Sequence, residues 1–156
     1  MRISRVDCGF TLVELVVTLV IIGVLAAVSA PIFFTRQTFA EQGFVNEARA
    51  VVRYGQKLAV SSGCSVQVQI SGGNTIALRR SNNAANCNDG VYNTAVDDPA
   101  NRDAGFTRVA PSGVALGATA SPFVFTPLGN VAGNGNVTIT AGTRSFVVAG
   151  ATGFVQ

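Results

Sequence analysis

The sequence predicts an α+β protein in which a long N-terminal helix, transmembrane first and amphipathic later, precedes a small antiparallel β-sheet head. An uncharged apolar run covers residues 15–34, apolar residues recur with helical period over 35–62, and apolar and polar residues alternate after residue 63. The length of 156 residues suits one small domain plus an anchor. Only 12% of the residues are charged, against about 25% in an average soluble domain, and most of this deficit lies near the N-terminus.

The apolar run has the length of a membrane-spanning helix. From Leu15 to Phe34 twenty residues carry no charge, and a helix of about 20 residues crosses the roughly 30 Å hydrocarbon layer. Arg2 and Arg5 precede the run, so we expect the N-terminus to stay cytoplasmic and the rest to be exported. Pro31 lies late in the run, where it either kinks the helix or ends it.

Three interpretations of this segment differ in how they account for Glu14. A secretory signal peptide cut after Val28-Ser29-Ala30 would leave Pro31 directly after the cut, and the run is longer than a usual signal core. An ordinary signal anchor is the second interpretation. Both leave Glu14 without a partner, although an ionised carboxylate within the membrane costs about 2.5–3.5 kcal/mol on insertion scales.

The third interpretation gives Glu14 a partner. Gly9-Phe10-Thr11-Leu12-Val13-Glu14 resembles the cleavage and methylation site of type IV prepilins and pseudopilins. The resemblance implies a cut between Gly9 and Phe10 by a prepilin peptidase, N-methylation of Phe10, and an ion pair in the filament between Glu14 and a neighbouring subunit's N-terminal amine. A buried carboxylate is tolerable when a cation neutralises it.

The segment after the apolar run has the pattern of an amphipathic helix. An apolar stripe recurs at steps of three, four and seven residues over 35–62. Arg49, Arg53 and Lys57 share a different face at i, i+4 and i+8. This face is either simply solvated or a basic contact face for acidic groups of another subunit or for DNA phosphates. The resemblance to pilins implies that the N-terminal helix continues into the head with a bend near Pro31.

From residue 63 the period changes from helix to strand. Residues 66–70 alternate, a Gly-Gly-Asn turn follows, and residues 75–80 provide the hairpin partner. Further short strands are expected near 106–109, 122–126, 136–140 and 144–149, with an edge strand at 152–156 and a long loop at 81–105.

Two cysteines fall in the predicted head. Cys64 and Cys87 would lie in an oxidising periplasm, where two thiols usually pair, and the disulfide would tie the long loop to the first strand. A metal or redox role is the rival interpretation, but it lacks further ligands, any His and a C-x-x-C spacing.

The head also resembles minor subunits of the same class. Val124 to Gly129, Asn136 to Thr140 and the closing Thr152-Gly153 are similar to the H-type pseudopilins of type II secretion and to FimT-type minor pilins. Phe44 to Gln69 is similar to minor pilins of mannose-sensitive haemagglutinin (MSHA) type. The resemblance implies a minor subunit that helps initiate or assemble a type IV pilus or a secretion filament, for protein secretion or surface adhesion.

Two alternatives to the filament role stay open. Some FimT-type pilins bind DNA through a Gly-Arg-x-Arg motif, but the matching Gly142-Thr143-Arg144 has one arginine, so nucleic acid is not the expected partner. The other alternative is an anchored periplasmic domain with no filament role.

Enzyme chemistry has little support. The chain has no His, so the usual catalytic triads are excluded, and no glycine-rich phosphate loop is present. The acidic loop could hold Ca²⁺, but its spacing matches no defined site; its carboxylates are Asp89, Asp97, Asp98 and Asp103. We therefore expect no catalytic residue, metal or cofactor.

These observations predict four segments along the chain. They are a leader at 1–9, a transmembrane helix at 10–34, an amphipathic helix at 35–62 and a periplasmic head at 63–156. The expected partners are other pilin subunits, the prepilin peptidase and the inner-membrane assembly platform. The protein would span the inner membrane once and enter a filament.

Overall fold

The computed structural model describes residues 10–34, 36–83, 85–101 and 104–156, without the side chains of 28–37. The predicted leader, with Gly9, therefore lies outside the described residues. The chain divides into two compact units, one ending at Arg36 and one running from Gln37 to Gln156.

Two helices occupy the first part of the chain. Helix α1 covers Leu12–Phe34, and its backbone is helical through Pro31, so the proline does not end it. Helix α2 covers Arg36–Ser62 and ends before Gly63, whose φ of 67° suits a glycine after a helix C-terminus. Within the described residues, no helix satisfies the length and hydropathy criteria for crossing a membrane.

Eight short strands follow among the described residues, all paired antiparallel. They are β1 (Val66–Ser71), β2 (Thr75–Arg80), β3 (Thr94–Ala95), β4 (Thr107–Val109), β5 (Leu116–Ala118), β6 (Phe123–Phe125), β7 (Val137–Ala141) and β8 (Arg144–Val148). The first sheet has the order β3-β2-β1-β6, and β4 pairs with β2 beside β3. The second sheet has the order β5-β7-β8.

The predicted hairpin is present in the expected register. Strands β1 and β2 pair from Val66 opposite Arg80 to Ser71 opposite Thr75. Gly72 and Gly73 both have positive φ, at 61° and 69°, which glycine adopts without steric cost. The turn chemistry of the sequence therefore sets this register.

Three local expectations differ from the structure. The region expected as a loop at 81–105 contains β3, and β5 was not expected. The edge strand expected at 152–156 is reduced to one isolated bridge between Val148 and Val155. Strands β3 and β5 depend on pairing with distant segments, whereas the bridge joins residues seven positions apart; each element is too short to leave a clear local pattern.

The core lies within the C-terminal unit. Helix α2 contributes Phe44, Ala48 and Val52, each at most 2% exposed. Strand residues from both sheets complete one cluster; they include Val68, Ile76, Leu78, Phe125, Ile139 and Val148. A Cβ on Gly55 would lie 3.0 Å from a methyl group of Leu78, so glycine at this position lets α2 approach the first sheet closely.

Candidate assembly sites

The residues around the predicted cleavage point form a helix start. Thr11 precedes α1 and caps it, since its Oγ1 accepts a hydrogen bond from the backbone N–H of Glu14 at 3.2 Å. The Thr11 carbonyl accepts from the N–H of Leu15 at 3.1 Å. Thr-x-x-Glu is the capping-box pattern, with Glu14 at its third helical position. Phe10 precedes the cap, and 80% of its surface is exposed.

The described part of α1 is covered with exposed apolar side chains. Those of residues 12–25 are 49–78% exposed; they are Leu12, Val13, Leu15, Val16, Val17, Leu19, Val20, Ile21, Ile22, Val24 and Leu25. So large an apolar surface marks a contact with lipid or with other protein. Glu14 is also exposed and lies at the start of this surface.

The predicted basic face of α2 is partly used inside the head. The guanidinium of Arg49 lies 5.5 Å from the ring centre of Phe146, and its buried Nε has no hydrogen-bond partner among the described residues. Arg53 donates to the carbonyl of Val155 at 3.0 Å. Lys57 is exposed. Two of the three cations therefore hold the C-terminal part of the sheet against α2.

A buried carboxylate of α2 holds the turn between β7 and β8. Glu41 is 5% exposed and accepts hydrogen bonds from the hydroxyl and the N–H of Thr143, at 2.7 and 3.2 Å. The Thr143 hydroxyl bond is the main cause that lowers the pKa of Glu41, and the charge of Arg144 acts in the same direction. Gly142 has a φ of 61°, and any side chain there would collide with the Glu41 carboxyl group.

The acidic loop residues have partners within the protein. Asp98 accepts from Arg108 at 2.6 Å, and this bond lowers the pKa of the Asp98 carboxyl. Arg108 also contacts Glu47 of α2 at 3.0 Å. Asp97 pairs with Arg80 at 3.3 Å.

Asp89 completes the described part of the loop. It accepts from the N–H of Val91 and from Ser81 and Asn83, which lowers its pKa. Asp103 lies outside the described residues. Among the residues described, no group of three potential ligands is close enough to hold a metal ion.

Cys64 and Cys87 form the expected disulfide. The two residues are 23 positions apart, and their Cα atoms are separated by 5.3 Å. Next to the bridge, Asn88 accepts hydrogen bonds from the N–H and hydroxyl of Ser65, both at 2.7 Å. The loop after β2 is thus fixed to the end of α2 by a covalent bond and by polar contacts.

Sequence reasoning missed two side chains that organise the head, Glu41 and Gln56. Gln56 Nε2 donates to the carbonyls of Gly129 and Thr152, each at 2.9 Å. Glu41 could have been noticed, because it precedes Phe44, Val45 and Ala48 at i+3, i+4 and i+7 and therefore faces the core. Gln56 left no such pattern, since its acceptors are backbone atoms 73 and 96 positions away.

Solved structures that are similar to this chain come from two bacteria. The type IV minor pilin FimU of Pseudomonas aeruginosa, in two crystal forms, superposes with TM-scores of 0.54 and 0.52 at 14% identity. The matches cover 79% and 74% of this chain and 90% of each FimU chain. The minor pseudopilin EpsH of the Vibrio cholerae Type 2 Secretion System gives a TM-score of 0.47 at 14% identity, over 76% of this chain and 93% of EpsH.

The FimU superpositions establish the fold alone, and this fold is that of type IV pilin-like proteins. Two sequence families match separate parts of the chain. The prokaryotic N-terminal methylation motif matches residues 4–30, and the family described as Type II transport protein GspH matches residues 45–153. No curated protein is significantly similar to this chain in sequence.

The chain belongs to the Type II transport protein GspH family, because that match covers well over half of its length. It is a minor subunit of the pilin and pseudopilin class, which forms type IV pilus or type II secretion filaments. The predicted fold class and the family resemblance are therefore confirmed. Membership indicates a membrane-anchored subunit with other pilin subunits as partners.

Proposed function

We propose that this protein is made as a precursor, cut between Gly9 and Phe10 by a prepilin peptidase, and methylated on the new N-terminus. The mature chain then spans the inner membrane once, with its N-terminus cytoplasmic and its head periplasmic, until an assembly platform adds it to a filament. The observation that carries this proposal is the presence, on one chain, of the methylation motif at 4–30 and the GspH family match at 45–153.

Glu14 selects the position of the subunit in the filament. Its carboxylate pairs with the amine of a neighbouring subunit's Phe10, while the exposed apolar side chains of α1 pack against other N-terminal helices. The apolar contacts supply most of the binding free energy, since they are numerous and non-directional. The ion pair supplies register, because an unpaired carboxylate in that apolar surrounding is strongly unfavourable.

The subunit acts by assembly and has no catalytic role. It takes part in filament initiation and thereby in protein secretion or surface adhesion. DNA uptake is less well supported, because Arg80 and Arg108 face carboxylates and Arg53 bonds to the backbone of the head. These three described arginines are thus engaged within the protein, and each phosphate contact that is lost weakens binding to nucleic acid.

Mass spectrometry of the N-terminal peptide from native membranes tests the proposal. We expect a peptide that begins with N-methylated Phe10, both in membranes and in sheared filaments. A chain that begins at Met1, or one cut near Ala30, would instead indicate an anchored or secreted domain without a filament role. Gly9→Lys provides the control, because it should leave the leader attached.

A further inference from the structure

Three large apolar side chains are exposed at the C-terminal end of α2. Val60 on the helix is 54% exposed, Leu128 in the turn after β6 is 90% exposed, and Phe154 near the C-terminus is 60% exposed. They come from three separate segments of the chain. We call these three residues the apolar patch.

Hydrogen bonds from the Gln56 side chain to the backbone bring the three segments together. The Gln56 amide donates to the carbonyl of Gly129, next to Leu128, and to the carbonyl of Thr152, two residues before Phe154. A Cβ on Gly129 would lie 3.0 Å from a methyl group of Val60. The segments that carry the apolar patch are therefore in direct contact with one turn of α2.

The patch lies on a rigid support. Gly153 has a φ of 68° and fits so closely that a Cβ would collide with the carbonyl oxygen of Gly129. The N–H of Gly153 donates to Ala149 at 2.6 Å, and the N–H of Ala149 donates to Phe154 at 2.8 Å. A preorganised surface binds with less entropic cost than a flexible one.

One side of the patch is basic. Arg53, Lys57 and Val60 follow each other at i, i+4 and i+7 on α2, so the two cations adjoin the patch along the helix. None of the three apolar residues has an acidic neighbour within three positions in the chain. The surface is thus complementary to an apolar side chain flanked by carboxylates.

We propose that the apolar patch and Lys57 bind the head of a different filament subunit, one that presents an apolar side chain beside Asp or Glu. This inference rests on the proposed function. A second copy related by two-fold symmetry fits poorly, because the same patch on both partners would bring Lys57 close to Lys57. An anionic membrane also fits poorly, because Arg53 and Lys57 supply two cations, whereas polybasic membrane-binding segments carry about 4–8 Lys or Arg.

Site-specific photo-cross-linking in the full-length protein tests this inference. A photoreactive phenylalanine analogue replaces Leu128 or Phe154 in cells that build the filament, and Val109, which is 62% exposed on β4, is the matched control position. We expect cross-links from 128 and 154 to another subunit that carries its own methylation motif. The yield should be about tenfold above that from 109, and Lys57→Glu should lower it by a similar factor.

The outcomes separate this inference from the proposed function. Cross-links to lipid, to DNA or to a second copy, or yields equal to those from 109, would overturn the assignment of the patch. If the protein is present in sheared filaments with a methylated Phe10 but gives no cross-links, only the patch is wrong. If the protein is absent from filaments, the filament role and the patch both fail.

Discussion

Two glutamates on the helices show how surroundings decide the role of a single residue. Glu14 is exposed at the start of α1, among apolar side chains of the same helix that are also exposed. Glu41 is buried and accepts two hydrogen bonds from Thr143. Glu14 is thus exposed beside the apolar surface of α1, whereas Glu41 stabilises a turn within the head.

Replacement of Glu14 tests the first role. We expect Glu14→Ala to be inserted and cleaved as the natural chain is, but to be absent from sheared filaments, because its neighbour's amine would lose its counter-charge. Immunoblotting of membrane and filament fractions measures both steps. Glu14→Asp is the control that keeps the charge, and normal incorporation of Glu14→Ala would show that the ion pair is not needed.

The pH dependence of stability tests the second role. The pKa of Glu41 is lowered in the folded state from its ordinary 4.5, so the unfolded chain binds the proton more tightly. Its contribution is therefore complete above pH 4.5 and is lost as the pH falls through the lower folded-state value. We expect Glu41→Gln to reduce the melting temperature at pH 7 and to have a smaller effect at pH 3.

Thermal unfolding of both proteins at the two pH values measures this difference. Thr143→Val should show a smaller pH-dependent loss of stability, since this substitution removes the hydroxyl donor but keeps the N–H. An equal gap between the natural and Glu41→Gln proteins at pH 7 and pH 3 would exclude Glu41 as the titrating group.

At the scale of elements, the turns rather than the strands carry the steric constraints. The turn at 149–154 contacts both the turn after β6 and helix α2 through Gly153 and Gln56. The strands themselves are short, from two to six residues. Correct packing of the second sheet against α2 therefore depends on a few close contacts made by the backbone of the turns.

A pair of glycine substitutions separates conformational strain from collision. Gly133 and Gly153 both have positive φ, at 83° and 68°, but a Cβ meets nothing within 4 Å at Gly133 and strikes the backbone at Gly153. We expect Gly133→Ala to cost about 1–2 kcal/mol from backbone strain. Gly153→Ala should cost about 2–5 kcal/mol, because a steric clash is added.

Denaturant unfolding of the two variants measures these costs. Arg53 and Gln56 should lose their contacts with the C-terminal segment only in Gly153→Ala, which chemical shifts of their side chains would report. Equal destabilisation by the two variants would mean that the close contact at Gly153 is unimportant.

At the scale of the whole molecule, the two units differ in how far their apolar side chains are exposed. Every buried apolar residue of the described chain lies between Phe44 and Val155, whereas the described apolar side chains of α1 are exposed. The core of the described chain thus lies in the C-terminal unit.

A shortened chain tests the independence of the head. We expect a protein that begins at Gln37 to fold cooperatively and to contain the Cys64–Cys87 disulfide. Circular dichroism during thermal unfolding measures the cooperativity. The same fragment with both cysteines changed to serine should be about 3 kcal/mol less stable, because the unfolded chain loses its cross-link. A broad transition in the unmodified fragment would mean that the head needs α1.

Much of the molecule could be predicted from local pattern. The apolar run and the 3.6-residue period gave both helices, and two-residue alternation gave β1 and β2, because these signals depend only on neighbours in sequence. The turn glycines fixed the β1–β2 register. The residues at 9–14 indicated the class of protein, since a short motif can be recognised without its three-dimensional surroundings.

Only the tertiary structure decided which distant groups meet. Glu41 bonds to Thr143, Gln56 bonds to the backbone of two turns, and Arg49 and Arg53 contact the C-terminal part of the head. Each of these contacts joins residues about 70 to 100 positions apart. Such contacts leave little periodic trace, because each depends on one side chain and the backbone path of another segment. By itself the sequence determined the helices, the first hairpin and the family; packing decided which cations and apolar side chains remain for other molecules.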